Sequence, residues 1–345
     1  MIKIYRTFPY YQNHVDTMTL KHCALFVLLC TSATIHAQSQ TSFDTPLYDN
    51  VIPNSNGHFP TDEWTPDFKE VKRVSRPTML IITPRQHKQR TSAVIIFPGG
   101  GYRVEEYERE GTAIAMELVK QNVSCFVVRY RLPDSTTMQN PATGPITDAQ
   151  QAIQLVRSQA KALLIDPDRI GVMGFSAGGH LAAMAGTQFD SVYAPRMKDI
   201  SARPNFMLLV YPVISMEDPL AHAGSRKALL GDSASPALRE KFSNEMHVTS
   251  HTPPAYLVYA DDDKTVSPRN SIVFYQQLRQ HGVEAQLEHF PTGGHGFAGG
   301  KVPDSEWMKN MISWMRRSGW ILDLDEPEQA PATTLKNDKG VATVK

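Results

Sequence analysis

The sequence predicts an α/β fold, with a mostly parallel central sheet, helices on both faces and a single domain. Three observations carry that expectation. A β-branched strand from about Asp168 runs directly into Gly174-Phe175-Ser176-Ala177-Gly178, whose glycines permit a sharp turn from strand to helix. Apolar strands alternate along the chain with helical patterns that are apolar on one face only. The helical segments between strands imply parallel crossovers. With 41% hydrophobic and 20% charged residues, 345 residues suffice for one large core.

At the amino terminus, CALFVLLCTSATI is an apolar run too short to span a bilayer comfortably, followed by Ile35-His36-Ala37 and polar QSQTS. Residues 1–37 therefore read as a signal peptide cut after Ala37, with export to the periplasm or beyond. A start at Met18 would make a more ordinary leader, with Lys21 as its positive end. Lipid anchoring at Cys30 is the minor alternative. Cleavage would leave 32 basic and 34 acidic residues, a nearly neutral protein. Of three cysteines only Cys125 would stay, in the apolar VSCFVV strand, where it is expected to pack rather than pair. Residues 38–68 are rich in Pro, Asn, Thr and Asp and are expected as an extended lead-in to a body spanning 69–322.

Within the body, SAVIIFP reads as a buried strand that empties into Gly99-Gly100-Gly101. Three glycines leave backbone amides bare, and amides with no side chain in the way can hold a developing oxyanion. Gly100 and Gly101 are the candidates for that role. Tyr102 beside them either lines an acyl pocket or covers the sheet. Arg129 and Arg131, after the VSCFVV strand, are read as structural ion-pair partners before sugar ligands. Ala149, Ile153, Val156 and Ala160 then share one face of a helix from about Ile146, the pattern of a helix laid on a sheet.

The junction at Ser176 has the Gly-x-Ser-x-Gly form of a nucleophile elbow, whose sharp turn needs small residues two before and two after the serine. The amide of Ala177, at the positive end of the following helix, is a third oxyanion candidate. His180 is expected to pack or hydrogen-bond beneath that helix. Pocket walls are expected between Ser215 and Thr252. Downstream, the strand Ala255 to Ala260 ends in Asp261, Asp262 and Asp263, where an acid partner belongs. The strand AQLEHF carries His289, read as structural, and the loop FPTGGHGFAGG carries His295. An amphipathic helix, Met311 to Trp320, closes the body, and 323–345 carry too little apolar surface to fold.

Serine, acid and histidine thus occur in the order Ser176, Asp263, His295, which is that of the α/β-hydrolase fold and of neither common protease fold. IIFPGGGY, DPDRIGVMGFSAGGHLAA, LVYPVISM, KALLG, HVTSHTPPAYLVYADDDKTV and FPTGGHGF together resemble the α/β-hydrolase esterases of polysaccharide-degrading bacteria, the acetylxylan esterase and feruloyl-esterase-like (BD-FAE-like) proteins. The likeness runs from Val71 to about Trp320. It implies a Ser176–His295–Asp263 triad, an acyl-enzyme mechanism and an acylated saccharide substrate such as acetylated xylan. Strand alternation lets only one of the three aspartates reach the histidine. The family pattern puts the acid three residues before the valine, Val266, hence Asp263 with Asp262 in reserve.

Other classes are disfavoured. The chain has 35 basic and 35 acidic residues and no basic stripe with interleaved aromatics, which argues against nucleic acid. The glycine loops have neither a P-loop lysine nor dinucleotide spacing. Consecutive carboxylates diverge and lack His or Cys at ligand spacing, which disfavours a metal site. No cofactor and no integral membrane partner are expected. The rivals are an esterase for feruloyl or other small acyl groups, a prolyl-oligopeptidase-like peptidase, and a non-catalytic carbohydrate-binding module.

Overall fold

Short runs rich in Val and Ile become strands because branched side chains suit a pleated surface buried on both sides. The computed structural model describes residues 41–84, 90–299 and 305–321. The expected leader, the tail from 323 and the cysteines at 23 and 30 lie outside the described residues. In chain order the elements are β1 (Thr41–Pro46), β2 (Glu63–Trp64), β3 (Val71–Lys72), β4 (Thr78–Thr83), β5 (Thr91–Phe97), α1 (Ala113–Val119), β6 (Val123–Arg129), α2 (Gly144–Ser158), β7 (Ile165–Phe175), α3 (Ser176–Thr187) and β8 (Met207–Val210). There follow α4 (Ala223–Leu230), α5 (Pro236–Lys241), β9 (Ala255–Ala260), α6 (Arg269–Gln280), β10 (Ala285–Phe290) and α7 (Glu306–Arg317).

Eight strands form one sheet in the order β1-β4-β6-β5-β7-β8-β9-β10. From β6 to β10 all neighbours are parallel, while β4 runs antiparallel to both β1 and β6. Alternation along β5 sorts the two faces. Ala93, Ile95 and Phe97 join a core with Ile153 of α2, Leu181 of α3 and Phe274 of α6. Val94 and Ile96 join one with Leu118 of α1 and Met311 of α7. This is the α/β-hydrolase architecture. Its parallel strands put the carboxyl ends of β5, β7, β9 and β10 along one edge, where such sheets place their sites.

Two segments differ from the sequence expectation. The closing helix starts at Glu306, not Met311, because its apolar stripe begins at Trp307 and Met308 and continues through Met311, Trp314 and Met315. It stops at Arg317. Gly319 then adopts φ 73°, and Trp320 turns back to stack on Phe206 with ring centroids 4.9 Å apart. The lead-in, polar in sequence, supplies β1 as the edge strand of the main sheet. Side chains from the body hold its continuation. Arg129 pairs with Asp44 at 2.9 Å and Asp62 at 3.0 Å, and the Arg131 guanidinium donates to the Pro53 carbonyl at 2.7 Å.

Arg131 and Asp148 are both sealed from water, with Nη2 to Oδ1 at 2.7 Å and Nε to Oδ2 at 2.9 Å. The Arg131 amide also donates to Oδ2 at 2.9 Å, and the Tyr48 hydroxyl to Oδ1 at 2.9 Å. Both arginines are therefore structural, as their ion pairs satisfy them. Asp148→Ala would strand a buried guanidinium, and the expected cost is about 3–5 kcal/mol. Urea unfolding should show it as a lower midpoint with an unchanged slope. A shift under about 1 kcal/mol would mean that water or another carboxylate replaces the partner.

Glu105 is fully buried, close to the Tyr130 backbone. Burial pushes its carboxyl well above the ordinary 4.5, against the opposing pull of Arg129. Above the unfolded value the folded state therefore binds more protons than the unfolded chain. Its contribution to stability is full below the unfolded value and is lost as pH rises toward the folded value. Glu105→Gln should accordingly flatten the fall in melting temperature as pH rises above the ordinary glutamate value. Parallel curves for variant and wild type would contradict this.

Candidate active site

Ser176 is the first residue of α3, directly after β7, with φ 51°. That left-handed conformation lifts the side chain out of the junction and costs about 1–3 kcal/mol, which the packed surroundings must hold. The flanking glycines make the turn physically possible. A Cβ on Gly174 would overlap the Gly178 carbonyl, and one on Gly178 would overlap the carbonyl oxygens of Phe97 and Pro98.

The structure brings Ser176, His295 and Asp263 together. His295 Nε2 lies 2.9 Å from Ser176 Oγ, and Nδ1 lies 2.7 Å from Asp263 Oδ2. With the carboxylate as acceptor, Nδ1 carries the proton and Nε2 accepts from the serine hydroxyl. The Asp263 side chain is 1% exposed and that of His295 20%, so the acid is sealed behind an imidazole that faces the opening. Burial works against the Asp263 charge. The hydrogen bond from His295 and the amides of Val266 and Thr265 outweigh it, holding the carboxyl below its ordinary value. Tyr211 packs its ring 4.9 Å from that of His295.

The three consecutive acids diverge, though by a turn after the end of β9 rather than by strand alternation, since none of the three lies within the strand. Asp261 pairs with His289 at 3.0 Å, and Asp262 accepts the Gly294 amide at 2.7 Å. Only Asp263 reaches His295. The 99–101 loop lies beside the serine, since a Cβ on Gly99 would come within 3.1 Å of the Ser176 Cβ. Gly100 and Gly101 have φ of 122° and 67°. Among the described residues, neither of their amides has a protein acceptor. The Ala177 amide, in the first turn of α3, has none within the helix. The three expected donors are thus unspent.

Tyr102 and His180 meet below this loop. The Tyr102 hydroxyl donates to His180 Nδ1 at 2.8 Å, while His180 Nε2 donates to the Phe242 carbonyl at 2.7 Å. Burial pushes His180 down to about 4, so it is a neutral residue of α3 that ties the helix to Phe242. Tyr102 also borders a hollow of about 680 Å³ shared with Arg103, Leu132, Asp134 and Lys227. Another, of about 590 Å³, is bordered by Gln188, Tyr193 and Lys241. Neither of these two is lined by Ser176.

Three nearby residues were not singled out by sequence. His222, in the 215–252 stretch, hydrogen-bonds Ser225 at 2.8 Å and is held below its ordinary value by partial burial and by neighbouring His295 and Arg103. Glu110 and Tyr211 hydrogen-bond at 2.9 Å behind the glycine loop. A strand-end tyrosine and one glutamate in the charged run EEYERE carry no pattern that separates them from ordinary surface positions.

An α/β sheet with a serine–histidine–aspartate relay at its carboxyl edge and bare amides beside the serine has the architecture of an α/β-hydrolase esterase. More narrowly, the chain belongs to the BD-FAE family, whose model matches residues 79–278. It is 36% identical over 242 residues to an acetylxylan esterase of Xylanibacter ruminicola, covering 69% of this chain and 46% of that protein. It is 34% identical over 206 residues to endo-1,4-beta-xylanase B of Butyrivibrio fibrisolvens, covering 59% of this chain and 32% of that protein. The chain thus spans less than half the length of either. The crystal structure of an acetyl ester-xyloside bifunctional hydrolase from Caldicellulosiruptor lactoaceticus matches with TM-score 0.66 and 36% identity, over 81% of this chain and 97% of that one.

Proposed function

We propose that this chain is an exported serine carboxylic-ester hydrolase that removes acetyl groups from xylan or a related saccharide. The observation that carries the reaction is the continuous relay from Ser176 Oγ through His295 to Asp263, 2.9 and 2.7 Å long. His295 Nε2 takes the serine proton as Oγ attacks the ester carbonyl carbon. The carbonyl π pair moves onto oxygen, facing the amides of Gly100, Gly101 and Ala177. Collapse breaks the bond to the sugar oxygen, which leaves with the proton from His295. Water, deprotonated by the same nitrogen, then attacks the acyl-serine and releases acetate, returning the proton to Oγ. Asp263 orients the imidazole and stabilises its charged form.

The saccharide assignment is supported by the acetylxylan esterase and the acetyl ester-xyloside hydrolase among the similar proteins. Export is supported by the apolar run at 23–35, followed by Ala37 and the polar QSQTS. No helix among the described residues is long and apolar enough to cross a membrane. The test is acetate release from acetylated xylo-oligosaccharides, beside a feruloylated sugar and an aryl acetate, with Ser176→Ala in parallel. Serine-dependent acetate release well above ferulate release is expected. Activity on the aryl acetate alone would discard the xylan assignment, and silence on all three would discard the esterase.

A further inference from the structure

We infer that Glu110 is a positioning residue that sets the oxyanion loop against the serine and histidine. The inference rests on the esterase reading above and adds the device that holds its geometry.

Glu110 lies in a π-helical turn, Tyr107–Thr112, between the glycine loop and α1. Wide turns of this kind cost regular hydrogen bonding and occur often at functional sites. Here the turn aims a fully buried carboxyl at the loop rather than at solvent. The Gly99 amide donates to Glu110 Oε2 at 2.8 Å, and the Tyr211 hydroxyl donates to Oε1 at 2.9 Å. Each oxygen thus serves a different part of the site. Through Gly99, one holds the strand-end loop whose next two amides are unspent. Through Tyr211, the other holds a ring packed on the His295 imidazole.

The same turn reaches the histidine loop by a second route. Arg109 pairs with Glu106 at 3.3 Å, approaches Glu110 at 3.9 Å, and would lie 3.7 Å from a Cβ on Gly296, next to His295. Tyr211 itself sits at φ 36°, a left-handed conformation that a bulky aromatic adopts only where its surroundings impose it. The Gly99 amide is meanwhile withdrawn from the oxyanion by its own hydrogen bond, so the loop presents Gly100 and Gly101 and not all three glycines. An isolated buried carboxyl would cost folding energy for no return. Two satisfied hydrogen bonds, each ending on a different part of the site, make its placement intelligible.

The test uses the full chain and an aryl acetate, with active sites counted by fluorophosphonate labelling run to completion, so that misfolded molecules do not enter the rate. Glu110→Ala is expected to lower kcat per labelled site by about 10- to 100-fold, since displacements near 1 Å cost up to about that much. KM should stay within about twofold. Inhibition by a trifluoromethyl ketone, whose adduct carries the oxyanion, should weaken by a similar factor. Glu110→Gln should recover most of the rate, because its amide oxygen accepts from Gly99 while its nitrogen donates to the Tyr211 oxygen. Tyr211→Phe, which deletes one hydroxyl and keeps the ring, should fall between wild type and Glu110→Ala. An unchanged rate per labelled site in Glu110→Ala and Tyr211→Phe, with only lower melting temperatures, would overturn the inference. So would a Gln variant as slow as the Ala variant. A wild type neither labelled nor active would overturn the esterase reading and this one together.

Discussion

Ser176→Ala is expected to lower turnover of an aryl acetate by about 10⁴-fold or more while the protein stays folded. The substitution removes one oxygen, which is hydrogen-bonded to His295 Nε2. The β-carbon remains, so the φ 51° backbone is neither further strained nor released, and Gly174 and Gly178 still accommodate the turn. Bound ester would still meet the Gly100, Gly101 and Ala177 amides, but with no nucleophile the acyl-enzyme cannot form. Residual hydrolysis should therefore show no burst and no covalent adduct by mass spectrometry. Circular dichroism and melting temperature should match wild type within a few degrees. A variant that keeps a tenth of the wild-type rate, or still forms an adduct, would place the nucleophile elsewhere and remove the basis for the relay.

Local chemistry made much of this site legible in the sequence. The strand Ala255–Ala260 coincides with its apolar run, and Ala285–Phe290 with the AQLEHF segment, because the pattern within each segment suffices to mark it. The elbow glycines announce themselves because no other residue fits. What sequence could not show is chosen by partners far along the chain. Thr41–Pro46 is polar, and it becomes a strand through backbone pairing with Thr78–Thr83. Arg129 reaches Asp44, 85 residues away. Glu110 is one of four glutamates between 105 and 110, and only the π-helical turn decides that it points inward while Glu108 stays exposed. Likewise, three adjacent aspartates become distinguishable only once β9 ends and each meets a different partner.

That divergence sets the second large effect. Asp263→Asn is expected to reduce kcat by about 10³- to 10⁴-fold, whereas Asp262→Asn and Asp261→Asn should each stay within about tenfold of wild type. An amide at 263 can present its NH₂ to His295 Nδ1, which stabilises the tautomer with the proton on Nε2 and leaves nothing to accept the serine proton. It also loses the negative charge that steadies the imidazolium formed during attack. The same substitution at 262 keeps an oxygen able to accept the Gly294 amide. At 261 it weakens a half-exposed contact with His289, of a kind worth little in water. Because Asp263 is held below its ordinary value, its charge persists through neutral and mildly acidic assays. The loss in Asp263→Asn should therefore be present across that whole pH range. A decline in Asp262→Asn matching that of Asp263→Asn would instead mean that the acid changes hands when substrate binds.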